Sequence, residues 1–326
     1  MYDQWRRLQM LIQQISAVIS TILNLILILL IINKSPKRIG AYKYLMMYIS
    51  VFEIFYSFMD VITCPFFTSY GSTFFAMVDM KTALFSHFTM SILICVYCGL
   101  FGVSLGIFGI HFIYRYLVAS GSHLLRSFHD RRLIIWLITP IIYGSIWGSI
   151  CYFPLGSTPE KTKYLKSISL EVFDIKTEDI EYVGPYFYQK MDDGRYIIDI
   201  NSIIGITITT IMISLSFFTI IFFGIKCYFN IRNLLILQTI STKNTMLQSQ
   251  LFYALVTQTV IPVVLMHFPC SLMSTASFLN IEMGMMSGIL TITISLFPLI
   301  DPLPNLFIIP NYRNGLIGYT KKLIFC

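Results

Sequence analysis

The chain has 326 residues, of which 56% are hydrophobic and only 12% charged, with a mean hydropathy of +0.73. A soluble protein of this length needs more polar side chains than that to cover its surface, so the composition describes an integral membrane protein. Twenty-three basic residues against sixteen acidic ones leave a net charge of +7; because the basic residues flank apolar runs, this excess is a topology signal and not a nucleic-acid footprint.

A membrane-spanning helix needs about 20 apolar residues, and seven segments meet that test: 11–32, 44–67, 84–113, 133–153, 203–225, 251–274 and 285–309. They are long and lack period-two alternation, which excludes a β-barrel. The expected fold is all-α, one seven-helix domain over 1–326. Trp5, Arg6 and Arg7 precede the first run without a small-residue cleavage pattern, so that run is expected to be retained as an anchor.

Lys34, Lys37, Arg38 and Lys43 follow the first span. Arg115, Arg126, Arg131 and Arg132 follow the third; Lys226, Arg232 and Lys243 the fifth; Arg313, Lys321 and Lys322 the seventh. The opposite loops hold nearly all the acids. Glu171, Asp174, Glu178, Asp179, Glu181, Asp192, Asp193 and Asp199 fall in 154–201, the only long polar segment. The positive-inside bias therefore predicts an outer N-terminus and an inner C-terminus, with Arg6 and Arg7 as the exception. Segment 154–201 reads as an outer loop able to cap a pocket, with a turn at Gly184-Pro185.

Ionisable groups inside spans are costly and usually face the bundle interior. At about 1.5 Å per residue, Asn24, Glu53 and Asp301 fall about 12, 14 and 12 Å above the inner edge, on three different helices. Carboxyl groups brought together there share a proton, hold a cation, or hydrogen-bond through Asn24 and water; the alternative is that each bonds within its own neighbourhood. Asp60 lies two turns above Glu53, about 24 Å above the inner edge, at the height expected for Tyr97 and His267. These three are candidate ligand-binding residues of an outer-half pocket, although an isolated interior histidine is often no more than a satisfied core residue.

Gly99, Gly102, Gly106 and Gly109 on the third span, and Gly144 and Gly148 on the fourth, form faces that let helices approach closely. Pro262 and Pro269 should kink the sixth helix, and Pro298, Pro302 and Pro304 the seventh, with Pro262 and Pro302 as candidate hinges. Arg115, between Tyr114 and Tyr116 after a long apolar run, is expected at the membrane boundary, either as an interface anchor or as part of a switch. Its guanidinium should reach the interface or bond to sixth-helix groups such as Gln248 or Gln250. The seven cysteines lack a metal-binding or disulfide-framework pattern, and Cys64 and Cys151 near outer ends could pair only speculatively.

Six stretches in order, 24–48 (NLILILLIINKSPKRIGAYKYLMMY), 52–65 (FEIFYSFMDVITCP), 111–116 (HFIYRY), 182–188 (YVGPYFY), 254–262 (ALVTQTVIP) and 297–313 (FPLIDPLPNLFIIPNYR), resemble nematode seven-transmembrane chemoreceptors of the Str class (serpentine receptor class r). The resemblance implies a G-protein-coupled receptor, not an enzyme, without cofactor or metal. It implies a small environmental chemical and a heterotrimeric G protein as partners, in the plasma membrane of a sensory-neuron cilium. By the same analogy Arg115 and Tyr116 take the place of the arginine-tyrosine end of the third helix in rhodopsin-like receptors, and Asp301-Pro302 that of their Asn/Asp-Pro motif. Two departures stand out. No acid adjoins Arg115, and 154–201 has no cysteine to tie it to the third helix. The rival reading, a secondary transporter, expects repeated halves, which seven spans without an internal repeat do not supply.

Overall fold

A computed structural model describes residues 2–173, 176–190, 194–237, 242–284 and 286–324. The positions of Asp174, Asp192, Asp193, Met285 and Cys326 lie outside these residues, and the side chains of Glu171, Lys243 and Lys322 are likewise not described. Among the described residues, seven helices are long and apolar enough to cross a membrane. They are α1 (Tyr2–Lys34), α2 (Tyr42–Thr63), α3 (His87–Ala119), α4 (Leu133–Tyr152) and α6 (Ile200–Leu237), then two composite spans. The sixth span joins α7 (Thr242–Pro262) through a π-helical segment, Val263–His267, to α8 (Phe268–Phe278). The seventh joins α9 (Met286–Ile300) to α10 (Leu303–Ile308), and a further helix, α11 (Pro310–Ile324), follows it.

The third span is the central one: 72% of its most apolar window is buried, against 22% for α4 and for α6. The outer helices turn Ile134, Ile135, Ile138, Ile141 and Ile142 away from the protein, which suits a lipid-facing surface. The glycines explain how α4 approaches so closely. A Cβ added to Gly99 would stand 2.7 Å from the Gly144 carbonyl oxygen, and one on Gly148 would stand 3.1 Å from that of Cys95. The α3 and α4 backbones therefore touch without intervening side chains.

Several boundaries differ from the hydropathy reading. The second helix stops at Thr63, not at residue 67, because Pro65 disfavours helix at the residue before it; Cys64 instead takes a left-handed conformation, φ 41°. The apolar residues beyond it enter strand β1 (Phe66–Tyr70), which pairs with β2 (Thr73–Asp79) as an antiparallel hairpin. The third helix begins at His87, capped by the Ser86 hydroxyl, which accepts from the Thr89 amide at 3.5 Å, and it runs on to Ala119. The sixth and seventh helices are interrupted at the prolines expected to do so, the former as a π segment after Pro262 and the latter between Ile300 and Leu303.

Segment 154–201 is structured where it is described. Helix α5 (Pro159–Phe173) is followed by β3 (Ile180–Val183), β4 (Tyr188–Lys190) and β5 (Tyr196–Ile198). Strand β3 pairs with β2, giving a three-stranded antiparallel sheet in the order β1-β2-β3, with Ala76 opposite Val183 and Asp79 opposite Ile180. The sheet forms a cap over one end of the bundle. It is fastened by Phe67 N to Thr291 Oγ1 at 3.1 Å and by Ser277 Oγ to the Thr73 carbonyl at 2.9 Å. The Lys81–Asp179 ion pair and a 2.7 Å hydrogen bond between His87 Nδ1 and Glu181 Oε1 link β3 and its approach to the β2–α3 connection.

Candidate functional site

Beneath the cap lies a cavity of about 360 Å³. Tyr56, Tyr97, Phe101, Trp147, Phe187 and Phe278 supply much of its wall, and Ser271, Ser274, Thr209, Thr210 and Thr275 supply hydroxyls. None of its lining side chains is charged. Its roof is the turn after β3, where Gly184, Pro185 and Phe187 come down onto it. Gly184 has φ +150°, and a side chain there would collide with the Phe74 carbonyl, so the roof turn requires glycine.

Of the three residues expected around such a pocket, Tyr97 lines it directly. Its hydroxyl donates to Asp60 Oδ1 at 2.8 Å, and Asp60 stands behind it, only 2% exposed. The hydrogen bond to Asp60 fixes the orientation of the tyrosine in the cavity wall. His267 does not join them. It packs edge-on against Phe101, ring centroids 4.3 Å apart, which places it a layer behind the wall that Phe101 forms. The estimate of common depth failed to foresee this because height along a helix says nothing about which way the side chain turns, and the π segment rotates the residues that it contains.

Lower in the bundle, Asn24, Glu53 and Asp301 converge. Glu53 neighbours Asp301 and Asn24, but neither of its oxygens, nor Asp301 Oδ1, has a hydrogen-bond partner among the described residues. Asp301 Oδ2 accepts from Gln258 Nε2 at 2.8 Å, and Gln258 Oε1 accepts from Asn305 Nδ2 at 3.0 Å. All five side chains are at most 2% exposed. Asn24 and Ser20 donate to the Pro298 carbonyl at 3.3 and 2.8 Å. That carbonyl is free of its usual helical partner because the residue four positions on is Pro302, which has no amide hydrogen. The proline and the first helix are thereby coupled: the break in the seventh span creates the acceptor that α1 fills. Gln258 and Asn305 were not singled out from the sequence, although a glutamine one turn before Pro262 and an asparagine four residues after Asp301 were visible polar interruptions of apolar runs.

At the opposite end from the cap, Arg115 lies four residues before the end of α3 and is only 2% exposed. Its Nη2 donates to the Gln248 carbonyl at 2.9 Å, and its guanidinium carbon lies 4.6 Å from the centre of the Tyr42 ring. Tyr114, expected at the interface, is buried as well; it stacks on Tyr42 and its hydroxyl accepts from the Tyr42 amide at 3.2 Å. Burial of both follows from α2 and α7 closing over this end of α3. Tyr116 is half-buried against Phe223 of α6. Arg6, one of the two exceptions to the charge rule, is also buried: it donates to the Cys64 carbonyl at 2.6 Å and lies over the Phe66 ring at 4.3 Å. Cys64 and Cys151 are both free thiols, and the Cys64 thiol instead faces Gln13 Oε1 at 3.2 Å.

Seven apolar helices around a capped cavity, with a polar network at mid-depth and a buried arginine at the far end of the third helix, define a multi-pass membrane protein of the seven-transmembrane receptor class. The chain matches the family described as the serpentine type 7TM GPCR chemoreceptor Str over residues 9–317. It is 36% identical to the protein named G-protein coupled receptor str-217 of Caenorhabditis elegans, over 98% of this chain and 91% of that one. It is 30% identical to serpentine receptor class r-10 of Caenorhabditis briggsae, over 91% of this chain and 85% of the relative. At 26% identity it also resembles G-protein coupled receptor str-33 of Caenorhabditis elegans, over 95% of this chain and 90% of the relative. The chain belongs to the Str family of seven-transmembrane chemoreceptors, a family of receptors and not of enzymes.

Proposed function

We propose that this chain is a chemosensory receptor that binds a small, uncharged environmental chemical in the capped cavity and activates a heterotrimeric G protein at the other end of the bundle. The observation that carries the ligand class is the cavity lining. Aromatic rings and hydroxyls with no charged side chain favour a neutral molecule with an apolar body and one or two hydrogen-bonding groups. Tyr97 is the polar contact we assign to the ligand, Asp60 acts through it, and His267 adjusts the wall from behind Phe101. Asn24, Glu53 and Asp301 form the switch network, Pro262 and Pro302 the hinges, and Arg115 with Tyr116 the coupling end. The loop charges support an outer cap and an inner Arg115 end, and family analogy supports a sensory cilium.

Binding in such a bundle acts by shifting populations between inactive and active arrangements, so differential contact with the two is all that the ligand must supply. The test is a screen of neutral volatile and water-soluble compounds on cells expressing the chain, reading G-protein activation. A compound that activates the wild type and fails on Tyr97→Phe supports the reading. Uptake of a screened compound into vesicles, without G-protein activation, would instead favour a transporter.

A further inference from the structure

The cavity is roofed, yet it is open on one side. Among the described residues that line it, only Thr210 on α6 and Ser271, Thr275 and Phe278 on α8 are exposed. The roof residues Val183, Gly184, Pro185 and Phe187 are all buried. A side chain that touches both the cavity and the outside marks an opening, so the opening lies between the fifth and sixth spans and not at the roof.

Aromatic contacts frame this slot. Below it Phe217 of α6 packs edge-on against His267, ring centroids 5.9 Å apart, and above it Phe278 packs edge-on against Phe187 of the roof at 5.4 Å. Helices packed through ordinary side chains keep their axes about 8–10 Å apart. The Phe217 and His267 rings hold α6 and the sixth span at such a spacing, and the short side chains of Thr210 and Ser271, one or two turns above, do not fill it. Around the slot Ile208, Ile211 and Leu215 on α6, and Phe268 and Leu272 on α8, are exposed. Large apolar side chains on the outside of membrane spans face acyl chains, so the slot gives onto the bilayer and not onto water.

We propose that the slot between α6 and α8 is a lateral portal, through which a neutral, lipid-soluble molecule passes from the bilayer leaflet on the cap side into the cavity. Such a route selects by solubility before the pocket selects by shape. Desolvation keeps an ion out of the hydrocarbon. A neutral molecule with an apolar body concentrates there instead, and at the rim it meets the hydroxyl-bearing side chains of Thr210, Ser271 and Thr275.

That a signalling ligand takes this route rests on the functional reading above, but the portal is tested with a probe that need not activate, so the two fail separately. The full chain in phosphatidylcholine vesicles is mixed with an octanol that carries a diazirine, flashed with ultraviolet light after increasing delays, and read by mass spectrometry. In the wild type, label on Tyr97 and Trp147 of the cavity wall is expected to rise with delay to a plateau; its absence overturns the portal. In the double variant Thr210→Leu, Ser271→Leu, which fills the slot, the same label should rise more slowly. Unchanged label on Ile138 and Ile142, on the lipid-facing side of α4, shows that the variant is inserted. An unchanged rate means that the probe enters elsewhere, and a lower plateau at an unchanged rate means that only a cavity contact was lost; either result overturns the proposal. Where the double variant does not insert, the wild type decides. A phosphatidylcholine with a diazirine midway along its acyl chain is expected to label Ile213 and Ser274, which line the cavity inside the rim, whereas label confined to outward residues such as Ile211 and Leu272 overturns the portal.

Discussion

Arg115 of α3 donates its Nη2 hydrogen to the backbone carbonyl of Gln248 on α7, at 2.9 Å, while its guanidinium rests over the Tyr42 ring. A buried guanidinium usually requires a carboxylate partner, yet no carboxylate forms an ion pair with Arg115 among the described residues. A carbonyl and an aromatic face are weaker holds than an anion. The contact therefore joins the third and sixth spans in a way that can be released.

The first prediction follows from that contact. Changing Arg115 to Leu is expected to abolish G-protein activation while surface expression and agonist binding persist, because the cavity lies at the other end of the bundle. A residue that serves only as a membrane anchor gives the reverse order of damage, with lower surface level and normal activation per receptor. Surface labelling and G-protein activation on the same cells separate the two, and normal activation per surface receptor rules out the switch.

The second concerns Glu53 and Asp301. Two neighbouring carboxyl groups, both buried, cannot both carry a full charge cheaply, so the pair is expected to hold a proton or a cation between them. Glu53→Gln should change the strength of the agonist response and its dependence on pH or sodium. The same substitution should matter less when Asp301 is already Asn, because the partner charge is gone. Coupled groups of this kind deviate from additivity by about 0.5–3 kcal/mol. Strictly additive effects on the agonist half-maximal concentration would mean that the two side chains act independently.

The contrast between these residues and the cap explains what sequence reading captures. Spans appear as long apolar runs, and buried charges within them are rare enough to stand out, so Asn24, Glu53 and Asp301 were placed at one level by counting residues alone. The hairpin of β1 and β2 went unseen because its residues are as apolar as a helix end, so hydropathy merged Phe66 and Phe67 into the second span. Its signal was present all the same: Gly71-Ser72 between Tyr70 and Thr73 is a two-residue turn flanked by aromatic and β-branched residues. The partners of Arg115 were only half legible. The sequence offered Gln248 as a candidate, but the atom used is its backbone carbonyl, and Tyr42 lies far away along the chain and carried no sign of its role.

Orientation is the third prediction, and it rests on loop charge alone. A tag on the N-terminus is expected to stain intact cells, and a tag on the C-terminus only permeabilised ones. The burial of Arg6 against Cys64 and Phe66 removes one of the two charges that argue otherwise, since a guanidinium held within the protein contributes little to the charge difference between loops, and leaves only the exposed Arg7. An N-terminal tag that is reached only after permeabilisation reverses the assignment.

The last prediction concerns Lys161, which sits on α5 with no exposed surface and supports the cavity roof. Its Nζ donates to the Gly156 carbonyl at 3.0 Å and to the Gly184 carbonyl at 3.1 Å, pinning the roof turn to the start of the loop. Burial penalises the ammonium and pulls its pKa down from 10.5 to about 8, with the Asp199 charge partly opposing the shift. Below about 8 the lysine is protonated whether the cap is folded or not. Between about 8 and 10.5 the unfolded cap holds a proton that the folded one has released, so stability rises with pH across that window and levels off above it. A neutral amine still has two hydrogens for the two carbonyls, so the roof contact survives deprotonation. Thermal unfolding of the purified receptor in detergent, followed from neutral pH through this window, should show a rising midpoint in the wild type. In Lys161→Met, which keeps the length of the chain but cannot titrate, that rise should be missing; an unchanged rise in the variant would assign the titration to another group.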